Sequence, residues 1–168
     1  MVGVAPFVES SKLLVAKEGR TLAEMLSTVK DLPAEGFTAI VINGGLNDLA
    51  GGASAASVLN SMAAIWQVAR QKGWSIYQNT LTPFGGGVYA SVSLKGAEPR
   101  RVQINDSLTS GPGDVTAIPM HVTLADVNDP SRLASVLAAP DRLHLNAKGY
   151  KLMGGIIVEG MAGCVRGE

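Results

Sequence analysis

The sequence predicts an α/β protein built as a single doubly wound parallel sheet with helices on both faces. Three observations predict it. Short apolar runs of β-like composition alternate with stretches whose apolar residues recur at helical spacing, the pattern of successive βαβ units. One run, Thr38 to Ile42, is continuously apolar, as suits a strand buried on both faces of a parallel sheet. The residues richest in chemistry, around Asn47 and His144, fall outside predicted strand ends, where open α/β sheets bind ligands.

The elements follow in chain order. Lys12 to Ala16 reads as a short strand ended by Lys17-Glu18-Gly19. Thr21 with Glu24 has the pattern of a capping box, opening a helix through Leu22, Met25, Leu26 and Val29 that Leu32-Pro33 breaks. Beyond the Thr38 to Ile42 strand, Gly51-Gly52 marks a loop. Val58, Met62, Ile65 and Val68, with Leu59 and Trp66 alongside, then form the apolar stripe of a helix that stops at Gly73. Trp74 to Gln78 is the next strand, followed by a loop from Pro83 to Gly87. Pro99 to Leu108 predicts a short helix ended by Gly111-Pro112-Gly113, and Val115 to Pro119 the last strand. Asp129-Pro130 predicts the N-cap and first turn of a helix through Leu133 and Leu137. Asn146 caps the final helix, with Tyr150, Met153, Ile157 and Met161 on its inner face. No internal repeat or second-domain boundary is visible, so the 168 residues read as one domain.

Composition narrows the partners. Hydrophobic residues make up 46% and charged residues 17% of the chain, a globular balance. Fourteen basic and fourteen acidic residues cancel, and no basic cluster exceeds Arg100-Arg101, which argues against nucleic acid or an anionic membrane and for a small neutral molecule. The single cysteine, Cys164, allows neither an internal disulfide nor a zinc cluster, and nothing implies a metal or organic cofactor. No apolar run approaches the ~20 residues of a membrane span, and Met1 to Ser10 lacks the basic start and apolar stretch of a signal peptide, which leaves the compartment open.

Asp141 stands three residues before His144, a spacing that lets the carboxylate accept the Nδ1 proton and leaves Nε2 free as a general base. Asn47, just beyond the Thr38 to Ile42 strand, can present a side-chain amide to a developing oxyanion. Gly44-Gly45-Leu46-Asn47-Asp48 resembles the G-x-N-D block of the SGNH (GDSL-type) esterases and lipases. The run from Asp141 through His144 and Asn146 to Gly149-Tyr150 resembles their D-x-x-H-x-N-x-x-G-Y block. Thr80 to Gly86 and Val127 to Leu133 resemble the connecting segments, so the resemblance runs from about Lys12 to near the C-terminus. It implies the flavodoxin-like SGNH hydrolase fold, Asp141 and His144 as the last two members of a catalytic triad, and Asn47 and Gly19 in the oxyanion hole. His121 and Tyr150 read as structural.

The nucleophile is the open position. The resemblance implies a strand, a serine loop and a helix before the Lys12 to Ala16 strand. Such elements need roughly 25 to 30 residues at ordinary lengths, and only Met1 to Ser11 precede it, so the domain reads as N-terminally incomplete. Ser10 and Ser11, in a degenerate G-D-S block, are candidates. Ser107 is another, because Asn105-Asp106-Ser107-Leu108-Thr109-Ser110-Gly111 copies most of a G-D-S-L-T-x-G block, although Gly111-Pro112-Gly113 forbids the helix that should follow a nucleophile turn. Two functions follow: a serine ester hydrolase acting on small esters such as acetylated carbohydrate, or a catalytically inactive SGNH-like binding domain. An exposed sheet edge near Lys12 to Ala16 would favour homo-oligomers.

Overall fold

The structure, a computed structural model, describes residues 14–85, 96–111 and 113–162. In order the elements are α1 (Leu22–Asp31), β1 (Ala39–Ile42), α2 (Leu46–Ala50), α3 (Ala55–Gln71), β2 (Ser75–Asn79), α4 (Glu98–Thr109), β3 (Val115–Ile118), α5 (Met120–Thr123) and α6 (Ala147–Gly160). Among the described residues the sheet has three parallel strands in the order β1-β2-β3, with Ile40 opposite Ile76 and Tyr77 opposite Thr116. Every connection must therefore cross over, and helices cover both faces.

Alternation along the strands divides the core in two. Ile40, Ile42, Ile76, Val115 and Ala117 turn to one face, where they meet Leu22 and Val29 of α1, the stripe of α3, and Ile104 and Leu108 of α4. Ala39, Val41, Tyr77 and Ile118 turn to the other, against Met120 of α5 and Ile156 of α6. On α3 the buried set is Ala55, Val58, Met62, Ile65, Trp66 and Ala69, in which Val58 is followed at i+4, i+7, i+8 and i+11. Each large side chain so buried contributes about 1.5–3 kcal/mol.

Helix ends form as their sequences dictate. At α1 the Thr21 N–H donates to Glu24 Oε2 at 2.8 Å while Thr21 Oγ1 accepts the Glu24 N–H at 3.4 Å, a reciprocal capping box. Ser54 Oγ accepts the Ser57 N–H at α3, whose far end turns at Gly73 with φ +74. Asn146 Oδ1 accepts the Gly149 N–H at 3.0 Å to open α6.

Three expectations need correction. Leu14 to Ala16 form no strand: the described part of that run is exposed, Leu14 at 88%, and has no ladder partner among the described residues. Asp129-Pro130 starts no helix. Asp129 Oδ1 instead accepts from the Ser131 N–H and hydroxyl at 3.1 and 2.6 Å, a tight turn that competes with helix formation. Leu133 and Leu137 are buried all the same, the first through an isolated bridge to Ala125. Tyr150 is 55% exposed rather than inward, because Gly149 and Ile156 take the inner line of α6. The short helices α2 and α5 lie in stretches for which the sequence predicted no element. Cys164 and Gly86-Gly87 lie outside the described residues, as do Lys12 and Leu13.

The carboxyl end of β2 sinks into the interior, with Gln78, Asn79 and Thr80 all within 1% exposure. Gln78 is fully satisfied: its Oε1 accepts the Trp66 indole N–H at 3.1 Å, and its Nε2 donates to the carbonyls of Ile42 and Asn79. On the opposite face, both side-chain amide atoms of Asn79 are buried with no partner among the described residues. Substitution of these neighbours should therefore differ in sign. We expect Gln78→Leu to lower the unfolding free energy by about 1–3 kcal/mol by orphaning the indole N–H, and Asn79→Leu to raise it, as measured by urea denaturation.

Candidate active site

His144 lies on a loop held at both ends before its side chain is considered. The Ala139 N–H donates to the His144 carbonyl and the Arg142 N–H to that of Ala139, at 2.8 and 2.9 Å, which closes a turn around Asp141. Leu145 pairs with Ala138 in an isolated antiparallel bridge, and the Asn146 N–H donates to Leu137. Leu143 packs into the core under α1 and α3, while Leu145 packs into the core under α6. A chain pinned on both cores presents Asp141 and His144 at the surface with little freedom.

Asp141 then makes three contacts. Its Oδ1 accepts the N–H groups of Leu143 and His144 at 3.0 and 2.9 Å, and its Oδ2 lies 2.6 Å from His144 Nδ1. The imidazole N–H, and after it the two backbone N–H groups, pull the Asp141 carboxyl down to about 2. A carboxylate ionised at any physiological pH fixes the tautomer: Nδ1 carries the proton, and Nε2 is left as an acceptor. His144 is half exposed, its side chain at 51%.

Asn47 stands in the first turn of α2, separated from the Gly44-Gly45 pair by Leu46. Gly45, the N-cap, has φ 107, and a side chain there would meet Met62 at 2.9 Å; one at Gly44 would meet Met25 Sδ at 2.7 Å. The glycine pair thus lets the chain turn hard against α1 and α3. Asn47 Nδ2 donates to the Arg20 carbonyl at 2.8 Å, next to the Gly19 turn, whose φ is +74. Asp48 ties the same two segments, its Oδ2 accepting the Leu22 N–H at 3.1 Å. The structure so joins Asn47 to the Gly19 turn and Asp141 to His144; no hydrogen bond links the two pairs among the described residues.

The candidate nucleophiles are placed differently. Ser10 and Ser11 lie outside the described residues. Ser107 is in the interior of α4, and its hydroxyl donates to the Gln103 carbonyl at 2.8 Å. The Asn105 to Gly111 segment is the last turns of a helix rather than a strand-to-helix turn. Within it Asn105 is 1% exposed and holds the backbone of Leu81, accepting its N–H at 2.8 Å and donating to its carbonyl at 2.9 Å.

Sequence reasoning passed over several anchors. Arg101, 3% exposed, pairs with Glu98 through two nitrogens and donates to the Leu81 carbonyl at 3.2 Å. An i, i+3 charge pair straddling the start of the predicted helix was the available signal. His121 Nδ1 lies 2.9 Å from Thr80 Oγ1, and burial, helped by Arg101, holds its pKa below the usual imidazole value. Asp141 and His144 alone would be an incomplete metal site: no group of three or more His, Cys, Asp or Glu side chains converges among the described residues. No described helix is long and apolar enough to cross a membrane.

Comparison with known proteins bears on this arrangement. The family model described as GDSL-like Lipase/Acylhydrolase matches residues 8–152. Among solved structures, a provisionally assigned acylhydrolase from Bacteroides fragilis is similar with a TM-score of 0.71 at 18% identity, over 88% of this chain and 73% of that one. A GDSL-like lipase from Bacteroides thetaiotaomicron is similar with a TM-score of 0.66 at 16% identity, over 87% and 73%. At these identities the likeness is one of fold. A search of curated proteins found no match.

The low carboxyl pKa has a direct readout. A depressed carboxyl contributes stability that is complete above its unfolded value of about 3.9 and is lost as pH falls toward the folded value. We expect the Asp141 carboxyl carbon to titrate near about 2 in a ¹³C NMR experiment. A midpoint close to the unfolded value would mean that the three hydrogen bonds do not form.

Proposed function

Because the chain belongs to the GDSL-like lipase/acylhydrolase family, we propose that it is a serine ester hydrolase acting on small esters. In this reading His144 is the general base, Asp141 its orienting partner, and Asn47 with the Gly19 N–H the oxyanion donors. The observation that carries the reading is the 2.6 Å contact between Asp141 Oδ2 and His144 Nδ1, on a carboxylate that backbone N–H groups hold from the other side. The matched residues 8–152 include Ser10 and Ser11, and one of these supplies the hydroxyl. Ser107 is set aside, since its hydroxyl is committed to its own helix.

The chemistry follows from proton positions. His144 Nε2 takes the serine proton as the oxygen attacks the ester carbonyl, and the ionised Asp141 stabilises the imidazolium. The carbonyl oxygen becomes an oxyanion facing the second Asn47 Nδ2 proton and the Gly19 N–H. The imidazolium then protonates the departing alcohol, which leaves the acyl group on the serine; Nε2 deprotonates a water that attacks this acyl-serine, and the imidazolium returns the proton to the serine oxygen as the acid departs.

Hydrolysis of 4-nitrophenyl acetate and of an acetylated sugar tests the proposal. We expect His144→Ala to lower kcat/KM by about 10²- to 10⁴-fold and Asn47→Ala to lower kcat by about 10²- to 10³-fold. One of Ser10→Ala and Ser11→Ala should abolish turnover, and Ser107→Ala should leave it intact. Turnover that survives His144→Ala would overturn the assignment.

A further inference from the structure

Three successive carbonyls, ahead of the turn that holds Asp141, converge on one residue. The Asn146 N–H donates to the Leu137 carbonyl at 2.8 Å, and Asn146 Nδ2 donates to those of Val136 and Ala138 at 3.1 and 3.2 Å. Its Oδ1 accepts the Gly149 N–H, the bond that caps α6. Both Nδ2 protons and the amide oxygen are thus engaged. Close approach makes the convergence possible: a Cβ at Gly149 would stand 2.5 Å from the Leu137 carbonyl oxygen.

A cap alone needs none of the Nδ2 bonds. Asn, Asp and Ser cap helices about equally well, and the positive pole of α6 would favour Asp. A short amide alone offers two donors to one segment of chain and an acceptor to another. Asp offers no donor, Ser a single hydroxyl proton, and Gln carries its amide one carbon further out. The carbonyls that Asn146 holds belong to the segment against which His144 rests: Ala138 bridges to Leu145, and the Ala139 N–H donates to the His144 carbonyl. His144 is therefore bracketed by the Ala139 bond to its own carbonyl and by the Asn146 bonds two residues on. The turn from Asp141 to His144, by contrast, closes through bonds within itself, so it can stay folded and yet move as a body.

We propose that Asn146 is a positioning residue: its Nδ2 bonds to Val136 and Ala138 fix where the turn from Asp141 to His144 stands, and so where His144 Nε2 is aimed. The inference rests on reading His144 as the general base of the hydrolase. Loss of these bonds leaves the imidazole paired with its carboxylate and shifts the pair away from the reacting oxygen. A displacement of about 1 Å there costs on the order of 10²-fold in rate.

Asn146→Asp and Asn146→Ser keep the cap and remove the clamp, so a capping role predicts wild-type behaviour in both and a positioning role does not. We expect kcat/KM for 4-nitrophenyl acetate to fall by about 10- to 100-fold in both, further in Asn146→Asp, whose carboxylate faces two carbonyl oxygens. The ¹³C midpoint of the Asp141 carboxyl should stay at about 2. Amide hydrogen exchange reads the clamp without turnover. The Ala139 N–H, donated to the His144 carbonyl, should exchange about tenfold faster in both variants, while the Tyr150 N–H, donated to the Asn146 carbonyl, keeps its wild-type rate. Trp74→Phe deletes the indole bond to the Ala34 carbonyl at the other end of β2, lowers stability there, and should leave kcat/KM and Ala139 exchange alone. Wild-type exchange at Ala139 in both Asn146 variants, faster exchange with kcat/KM unchanged, or equal losses in Trp74→Phe would each overturn the proposal. Faster exchange at Ala139 together with a wild-type chain that hydrolyses no ester would support the clamp and overturn the hydrolase reading alone.

Discussion

The chain leaving β2 runs through the interior without regular structure, and its peptide groups have to find partners there. Leu81 is 4% exposed, and its N–H and carbonyl are both met by the Asn105 amide, with Arg101 adding a second donor to the carbonyl. Thr80 donates to the Ile118 carbonyl and accepts the His121 N–H, joining the carboxyl ends of β2 and β3. An unpaired buried peptide group would cost about as much as a large fraction of domain stability. The position of α4 is thus fixed by the needs of one loop residue, and the loops above β2 inherit their level from it.

The same clamp extends toward the chemistry. Arg101 reaches the Pro130 carbonyl at 3.5 Å, and the Gly85 N–H donates to the Ser131 carbonyl. From Ser131 the chain passes through Leu133 and Leu137 into the loop that presents Asp141 and His144. A cation with 3% exposure is tolerated here because Glu98 neutralises it through two nitrogens and backbone oxygens take its remaining donors. Removal of the Glu98 carboxylate would leave the Arg101 cation buried beside the route to the imidazole, whereas Glu98 itself keeps 32% of its side chain exposed.

Much of this was legible in the chain itself, where the signals are local. The capping box at Thr21, the stripe of α3, the stop at Gly73 and the cap at Asn146 all depend on residues within a few positions of one another. The Asp141 and His144 pairing is local for the same reason. What the sequence did not disclose depends on distant partners. Leu14 to Ala16 has strand composition but no ladder partner among the described residues. Asp129-Pro130 carries a helix-start signal that a side-chain turn onto Ser131 overrides. Asn105 looks like part of a nucleophile block and is a buried backbone anchor for a residue 24 positions away.

The bond from Asn47 to the Arg20 carbonyl bears on when work is done in a reaction cycle. A side-chain amide at a surface can rotate to show either its oxygen or its nitrogen. Here a flip would set the amide oxygen against a carbonyl oxygen, two acceptors face to face, so only the nitrogen-forward orientation is stable. The second proton on that nitrogen is consequently aimed before any ligand arrives. Under the proposed hydrolase reading, dipole alignment that a solvent would have to complete while charge develops is completed during folding, once per molecule rather than once per turnover.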